Sequence, residues 1–165
     1  MNSKILRLSA RKTNFMLSES DKKILRILQQ EGRITNQELA ARCGMSPSAC
    51  LERLRRLRER GYILGYAALL NPEKLGQPLL IFIEVTLDRT TGDVFREFAE
   101  AVRDRPEIVE CHMVAGGFDY LLKLRMPDMT SYRTFLTHLA EMPGVRETRS
   151  YPVIEEVKSG VALPL

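Results

Sequence analysis

The chain has 165 residues, 44% of them hydrophobic and 28% charged, with a formal net charge of +4 at pH 7. That length can bury a real core in one domain or two small ones, and the composition excludes a disordered or disulfide-scaffold class. No apolar run approaches the roughly 18 residues of a membrane span, and Cys43, Cys50 and Cys111 lack metal-ligand spacing and cannot all pair within one chain, which fits a reducing, cytoplasmic compartment.

The charge is unevenly spread. Residues 1–66 hold 14 Lys+Arg against 6 Asp+Glu, a net +8, whereas residues 67–165 hold 11 against 15, a net −4. A basic front and an acidic back point to a polyanion facing the front alone. Residues 1–17 read as a basic leader; residues 1–16 contain no acidic side chain, and their apolar stretch is too interrupted for a secretory signal. A disordered arm is expected there.

Ser18 predicts a helix over Glu19–Glu31, with Ser-x-x-Asp spacing to Asp21, an inward stripe of Ile24, Ile27 and Leu28, and Gly32 as the stop. Thr35 and Glu38 then form a capping box, and Ile34 and Leu39 a hydrophobic staple. Gly44 ends this second helix at Cys43 by taking a left-handed conformation. Ser46 caps the third helix and Pro47 opens it, where no N–H is needed. Helix, glycine turn and helix match the helix-turn-helix plan, whose second helix enters the DNA major groove.

In the helix from Pro47 to Arg60, Cys50, Leu54 and Leu57 project to one side and Arg53, Arg56 and Arg60 to another. A solvated face laced with Glu52–Arg56 pairs, each worth about 0.3–0.5 kcal/mol, would account for some of these charges. Five arginines against two glutamates leave a cationic surplus, and guanidinium groups suit phosphates and guanine O6/N7. Gly61 ends the helix, and Tyr62–Tyr66 is expected to form a short strand. Asn71, Pro72, Gly76 and Pro78 mark a hinge, dividing the chain into a DNA-binding domain at 18–66, a linker at 67–78 and a second domain at 79–165.

That second domain alternates. Leu79–Leu87 reads as a strand, Asp93–Arg103 as a helix, Ile108–Val114 and Phe118–Met126 as strands around Gly116-Gly117, Thr130–Glu141 as a helix and Val145–Val153 as a strand. The order β-α-β-β-α-β is the ferredoxin-like pattern, so the fold class is α+β with a helix-turn-helix domain ahead of an αβ-sandwich. One sheet face should carry both helices. The other, with apolar residues from several strands, should need a cover, for which a second subunit is the economical choice. Glu155–Leu165 has no place in the pattern and is expected to add an edge strand.

No catalytic constellation, metal cluster or cofactor motif emerges: His112 and His138 lack a nucleophile partner, and Gly116-Gly117 is too weak for a nucleotide fingerprint. An amino-acid-binding enzyme module in the second domain remains a rival because this fold hosts many chemistries. A nonspecific, nucleoid-type architectural protein using the same basic helix is another.

The stretches DKKILRILQQEGRI, LAARCGMSPSACLERLRRLRERGYILGY, ALLNPEKLG, VAGGFDYLLKLRMPDMTSYRTFL, MPGV and YPVIEEVK together resemble the Lrp/AsnC (feast/famine) family of transcriptional regulators, from about Ser18 onward. The resemblance implies a winged-type DNA-binding domain and an αβ-sandwich that dimerises and senses amino acids. Dimers would assemble further, often to octamers, and would bind double-stranded DNA at amino-acid metabolism genes. Carried onto this chain, DNA contacts fall to Ser46, Ser48, Glu52, Arg53 and Arg56, with Arg33, Thr35 and Asn36 near phosphate at the entry to the preceding helix. The effector would lie between dimers near Gly116, Gly117, Asp119 and Tyr120, with Met113, Met129, Tyr151 and Val153 lining the side-chain pocket. Gly117, where many members have an acidic residue, and Pro152, inside a segment that is usually unbroken β, depart from the family pattern and leave the effector's identity open.

Overall fold

The structure, a computed structural model, describes residues 16–165; most of the expected leader lies outside the described residues. Two compact units emerge: one contains the residues up to Ala68 together with Lys158–Leu165, the other Leu69–Val157.

The first unit is built from α1 (Glu19–Gln30), α2 (Asn36–Cys43) and α3 (Pro47–Glu59). Each starts on a capping side chain foreseen from sequence. Ser18 and Asp21 form a full capping box, as do Thr35 and Glu38, and Ser46 Oγ accepts from the Ala49 N–H at 3.3 Å. Gly44 ends α2 at φ 71°, with Met45 N donating to Ala40 O at 3.0 Å and Gly44 N to Ala41 O at 3.1 Å. That is a Schellman stop. It repeats after α3, where Gly61 sits at φ 75° and Tyr62 N reaches Leu57 O at 2.9 Å. Ile24, Leu39, Cys50 and Leu57 meet at its centre, each no more than 2% exposed.

One expectation for this unit fails, and one is met in another way. Helix α1 stops just before Gly32, with Glu31 as the cap, but without a left-handed turn; a Cβ at Gly32 would stand 3.4 Å from the Tyr66 ring. Glycine there leaves room for an aromatic side chain. Tyr62–Tyr66 is not a strand among the described residues. Its shape comes from side chains: Ile63 packs against the helical core, and Arg58 stacks 5.6 Å above the Tyr66 ring.

The second unit is a four-stranded antiparallel sheet of order β2-β3-β1-β4, formed by β1 (Leu79–Leu87), β2 (Ile108–Met113), β3 (Tyr120–Met126) and β4 (Val145–Pro152). Helices α4 (Gly92–Arg103) and α5 (Met129–Ala140) supply Phe98, Val102, Phe135 and Leu139 to a core shared with Ile81, Ile83, Leu122 and Leu124. The α+β class and ferredoxin-like order are those read from sequence.

The opposite sheet face carries apolar residues from three strands, Phe82, Leu121 and Tyr151, as expected, but they alternate with charged side chains. Strand register sets Glu110, Lys123, Phe82 and Tyr151 in one row, and His112, Leu121, Glu84 and Arg149 in the next. Lys123 Nζ lies 2.9 Å from Glu110, and His112 Nε2 lies 3.2 Å from the same carboxylate.

Glu155–Leu165 adds no edge strand. After β4, Arg125 holds Glu156 at 2.7 Å, and Lys158–Leu165 packs with the first unit. There the Gln29 side-chain amide pairs with the Leu163 main chain, donating to its carbonyl at 3.1 Å and accepting its N–H, while Arg26 donates to Leu165 O at 2.9 Å.

Candidate nucleic-acid interface and effector cleft

Residues proposed to meet DNA gather around the start of α3. Asn36 Nδ2 donates to Pro47 O at 2.9 Å, binding the first turn of α2 to the first turn of α3. Ser46 Oγ lies 3.2 Å from Ser48 Oγ. Thr35 and Ser46 are engaged as caps, while Arg33 and Ser48 are exposed.

Four of the five arginines of this stretch divide by partner. Arg55 grips Glu52 through Nε at 3.2 Å and Nη2 at 3.0 Å and reaches Glu59 at 3.6 Å. Lowered by that hydrogen bond, the Glu52 carboxyl stays below its ordinary range. Arg58 belongs to Tyr66. Arg56, the partner expected for Glu52, stands 4.0 Å from it and is half exposed. Arg53 turns inward: Nη1 donates to Asp21 Oδ1 at 2.9 Å and to Ser18 Oγ at 3.2 Å. Of the cationic side chains first assigned to base readout, Arg56 presents its charge outward and Arg53 spends at least one edge of its guanidinium on α1.

At the sheet's rim, the residues first assigned to an effector separate into two groups. Gly116, Gly117 and Asp119 lie where β3 begins, close to Met113, which pairs with Tyr120. Met129 follows the far end of β3, where Met126 pairs with Leu79, and Tyr151 pairs with Phe82. About six residues of β1 separate Val85, opposite Tyr120, from Leu79, opposite Met126, roughly 20 Å at strand rise, so Met129 stands at the other end of the sheet from the glycine loop, with Tyr151, opposite Phe82, and Val153, bonded to Leu80, in between. Tyr120 is withdrawn too: 4% exposed, it packs on Phe98 with 4.7 Å between ring centroids and donates to Phe95 O at 3.2 Å.

Neither Gly116 nor Gly117 has positive φ, and a Cβ on either would meet nothing within 4 Å. Space above the loop, not backbone strain, is what glycine provides here. Asp119 holds the loop in place: Oδ2 accepts from Leu87 N at 2.7 Å, while its main-chain N–H donates to Val85 O and its carbonyl accepts from Val114 N.

The sequence reading missed this cleft's other wall. A cleft of about 450 Å³ runs from Gly116, Gly117 and Phe118 to Arg89, Thr91 and Arg146, and a second of about 230 Å³ shares Gly117, Phe118 and Arg146. Arg146 is the extra residue of a β-bulge: Thr86 pairs with Glu147 and Leu87 with Val145, leaving Arg146 between them without a counterpart. Bulges re-aim side chains at sheet rims, and here one puts a guanidinium in the cleft. Strand periodicity alone could not show that, because a bulge breaks it.

The thiols are unsuited to nucleophilic or metal chemistry. Burial raises all three, Cys111 to about 11. Among the described residues no helix is long and apolar enough to cross a membrane.

Comparison with known proteins supplies relatives for both units. Residues 17–63 match the family model for winged helix-turn-helix DNA-binding, and residues 80–163 match that for the Lrp/AsnC ligand binding domain. The chain is similar to the leucine-responsive regulatory protein of Escherichia coli, 54% identical over 143 residues, covering 86% of this chain and 87% of that one. Among solved structures it resembles a transcriptional regulator of Neisseria meningitidis in complex with L-methionine (TM-score 0.87, 40% identity, 90% of this chain and 97% of that one). It also resembles an AsnC family transcriptional regulator of Agrobacterium tumefaciens (TM-score 0.85, 31% identity, 89% and 96%).

Proposed function

The chain belongs to the Lrp/AsnC family of DNA-binding transcriptional regulators, and from that premise we propose that it reads specific duplex sequences at amino-acid metabolism genes and adjusts its grip when a small amino acid binds. The observation that carries the first half is the arrangement of α2 and α3: Ser48 and Arg56 exposed on a helix fixed by the Ser46 cap, the Gly44 stop and the Asn36–Pro47 hydrogen bond. Glu52, bound to Arg55, is placed to accept from a cytosine amine, Arg56 to take guanine or phosphate, and Arg33, Thr35 and Asn36 to border the backbone. Residues 18–66 act as the reading domain, 67–78 as linker, and the sheet-bearing unit as sensor and assembly surface.

In the sensor, the rim cleft fits an α-amino acid. Arg146 and Arg89 can receive a carboxylate, Asp88 and Asp119 an ammonium group, and Phe118 borders space for an apolar side chain. Relatives named leucine-responsive, and one solved with L-methionine, favour an apolar amino acid. The cleft is open within one chain, so a neighbouring copy would complete it. A dimer covering the rows of paired charges, and assembling toward an octamer, would set two α3 helices about one DNA turn (~34 Å) apart. Its work on DNA would be done in the cytoplasm.

Band-shift titration tests this reading: the gene's own upstream region against random duplex of equal length at fixed salt, with and without L-leucine or L-methionine. Preference for the upstream region, altered by one amino acid, is the expected result. Equal affinity for both duplexes would leave a nonspecific architectural protein instead.

A further inference from the structure

Asp21 is the one buried polar or charged residue among the described residues, 4% exposed. Its two carboxylate oxygens face different helices. Oδ2 accepts from the Ser18 N–H at 3.1 Å and from the Ser18 hydroxyl, closing the capping box of α1. Oδ1 accepts from Arg53 Nη1 at 2.9 Å, from the middle of α3. A void of only about 20 Å³ remains between Asp21, Arg53, Arg56, Leu57 and Arg60. Beside this contact, α1 and α3 pack through apolar residues such as Ile24 and Leu57.

Apolar packing is non-directional, so it resists separation of two helices better than rotation of one about its axis. A charge-assisted hydrogen bond to a carboxylate already fixed by its own cap is directional. Arg53 lies three residues before Arg56 and one after Glu52. At about 100° per residue, whatever sets the azimuth of Arg53 sets that of both neighbours.

We propose that Asp21 is a positioning residue of the DNA interface: through Arg53 it sets the rotation of α3 that aims Ser48, Glu52 and Arg56 at base edges, and Arg53 itself contacts no DNA. The inference rests on the regulator reading above. It changes what Arg53 is for. A guanidinium on the recognition helix becomes a strut, and an acid within the basic unit becomes necessary to it.

Electrostatics and positioning make opposite forecasts for Asp21→Asn. Removing a negative charge beside DNA should raise affinity for every duplex alike; loss of rotation should lower affinity for the preferred sequence only. The experiment uses the full chain, a duplex that it enriches from a random-sequence pool, and a random duplex as competitor. Expected for Asp21→Asn is a specific-to-random affinity ratio lower by about tenfold, comparable to one mismatched base pair, with recovery in Asp21→Glu, which keeps both the charge and a capping-box partner.

Arg53→Gln, which leaves the α1 cap intact, should lower the ratio similarly while the salt dependence of binding stays at the unmodified slope. An unchanged ratio in a folded Asp21→Asn protein, or a parallel shift of both affinities, would overturn the proposal. So would a slope lower by about 0.9 in Arg53→Gln, since one lost phosphate contact produces that change. Failure of the unmodified protein to enrich any sequence would strike the regulator reading itself, and this inference with it.

Discussion

Arg53 and Asp21, 32 residues apart in sequence, meet at 2.9 Å. Burial pushes the Asp21 carboxyl upward, but hydrogen bonds from Ser18 and Arg53 outweigh it and hold the group below its ordinary value of 3.8. An acid with a depressed folded-state pKa stabilises the fold fully above its unfolded value, and that contribution disappears as pH falls through the folded one. The melting temperature of Asp21→Asn should therefore lie below that of the unmodified protein at pH 6, with the gap closing below about pH 4. Arg53→Ala, which strips a buried carboxylate of one partner, should cost about 1–3 kcal/mol at neutral pH. Thermal melts across pH 3–7 measure both; a gap that widens in acid would contradict the assignment.

Arg56 makes the longest salt bridge of the α3 arginines, 4.0 Å to Glu52. If it rests on phosphate, Arg56→Gln should lower the slope of log affinity against log salt by about 0.9 on any duplex. If it reads guanine, the loss should fall on the preferred sequence, by about 1–3 kcal/mol. Either outcome leaves the melting temperature nearly unchanged, because the side chain is half exposed.

Arg146 stands on the bulge of β4 and, among the described residues, forms no salt bridge. Arg146→Ala should leave DNA affinity unaltered without amino acid and weaken the effector by about 10- to 100-fold, the worth of a charge-assisted hydrogen bond. Loss of the ligand-induced rise in melting temperature reports this directly.

Two glycines should behave oppositely. Gly144 has φ 75°, and a Cβ there would sit 2.5 Å from Val94 Cγ1, so Gly144→Ala combines backbone strain with overpacking and should cost about 2–4 kcal/mol in urea unfolding. Gly117 lacks positive φ and faces open space. Gly117→Ala should stay within about 0.5 kcal/mol of the unmodified stability, so any fall in amino-acid response belongs to the cleft and not to the fold.

Sequence alone settled whatever depends on neighbours along the chain. Caps at Ser18, Thr35 and Ser46, the Gly44 and Gly61 stops, and the strand over Leu79–Leu87 follow from side chains that bond or exclude within a few residues. The order of elements then left one fold class. What failed were features that depend on a partner distant in sequence: the strand at Tyr62–Tyr66 and the edge strand after Glu155. Tertiary structure alone decided that Arg53 serves Asp21, that Arg146 escapes the β4 register into the rim cleft, and that Met129 lies a strand's length from the glycine loop. Helical and strand periods say which side of an element a residue occupies. Which atom waits on that side is set by packing between elements, where a carboxylate 32 residues away can claim a guanidinium that periodicity had assigned to DNA.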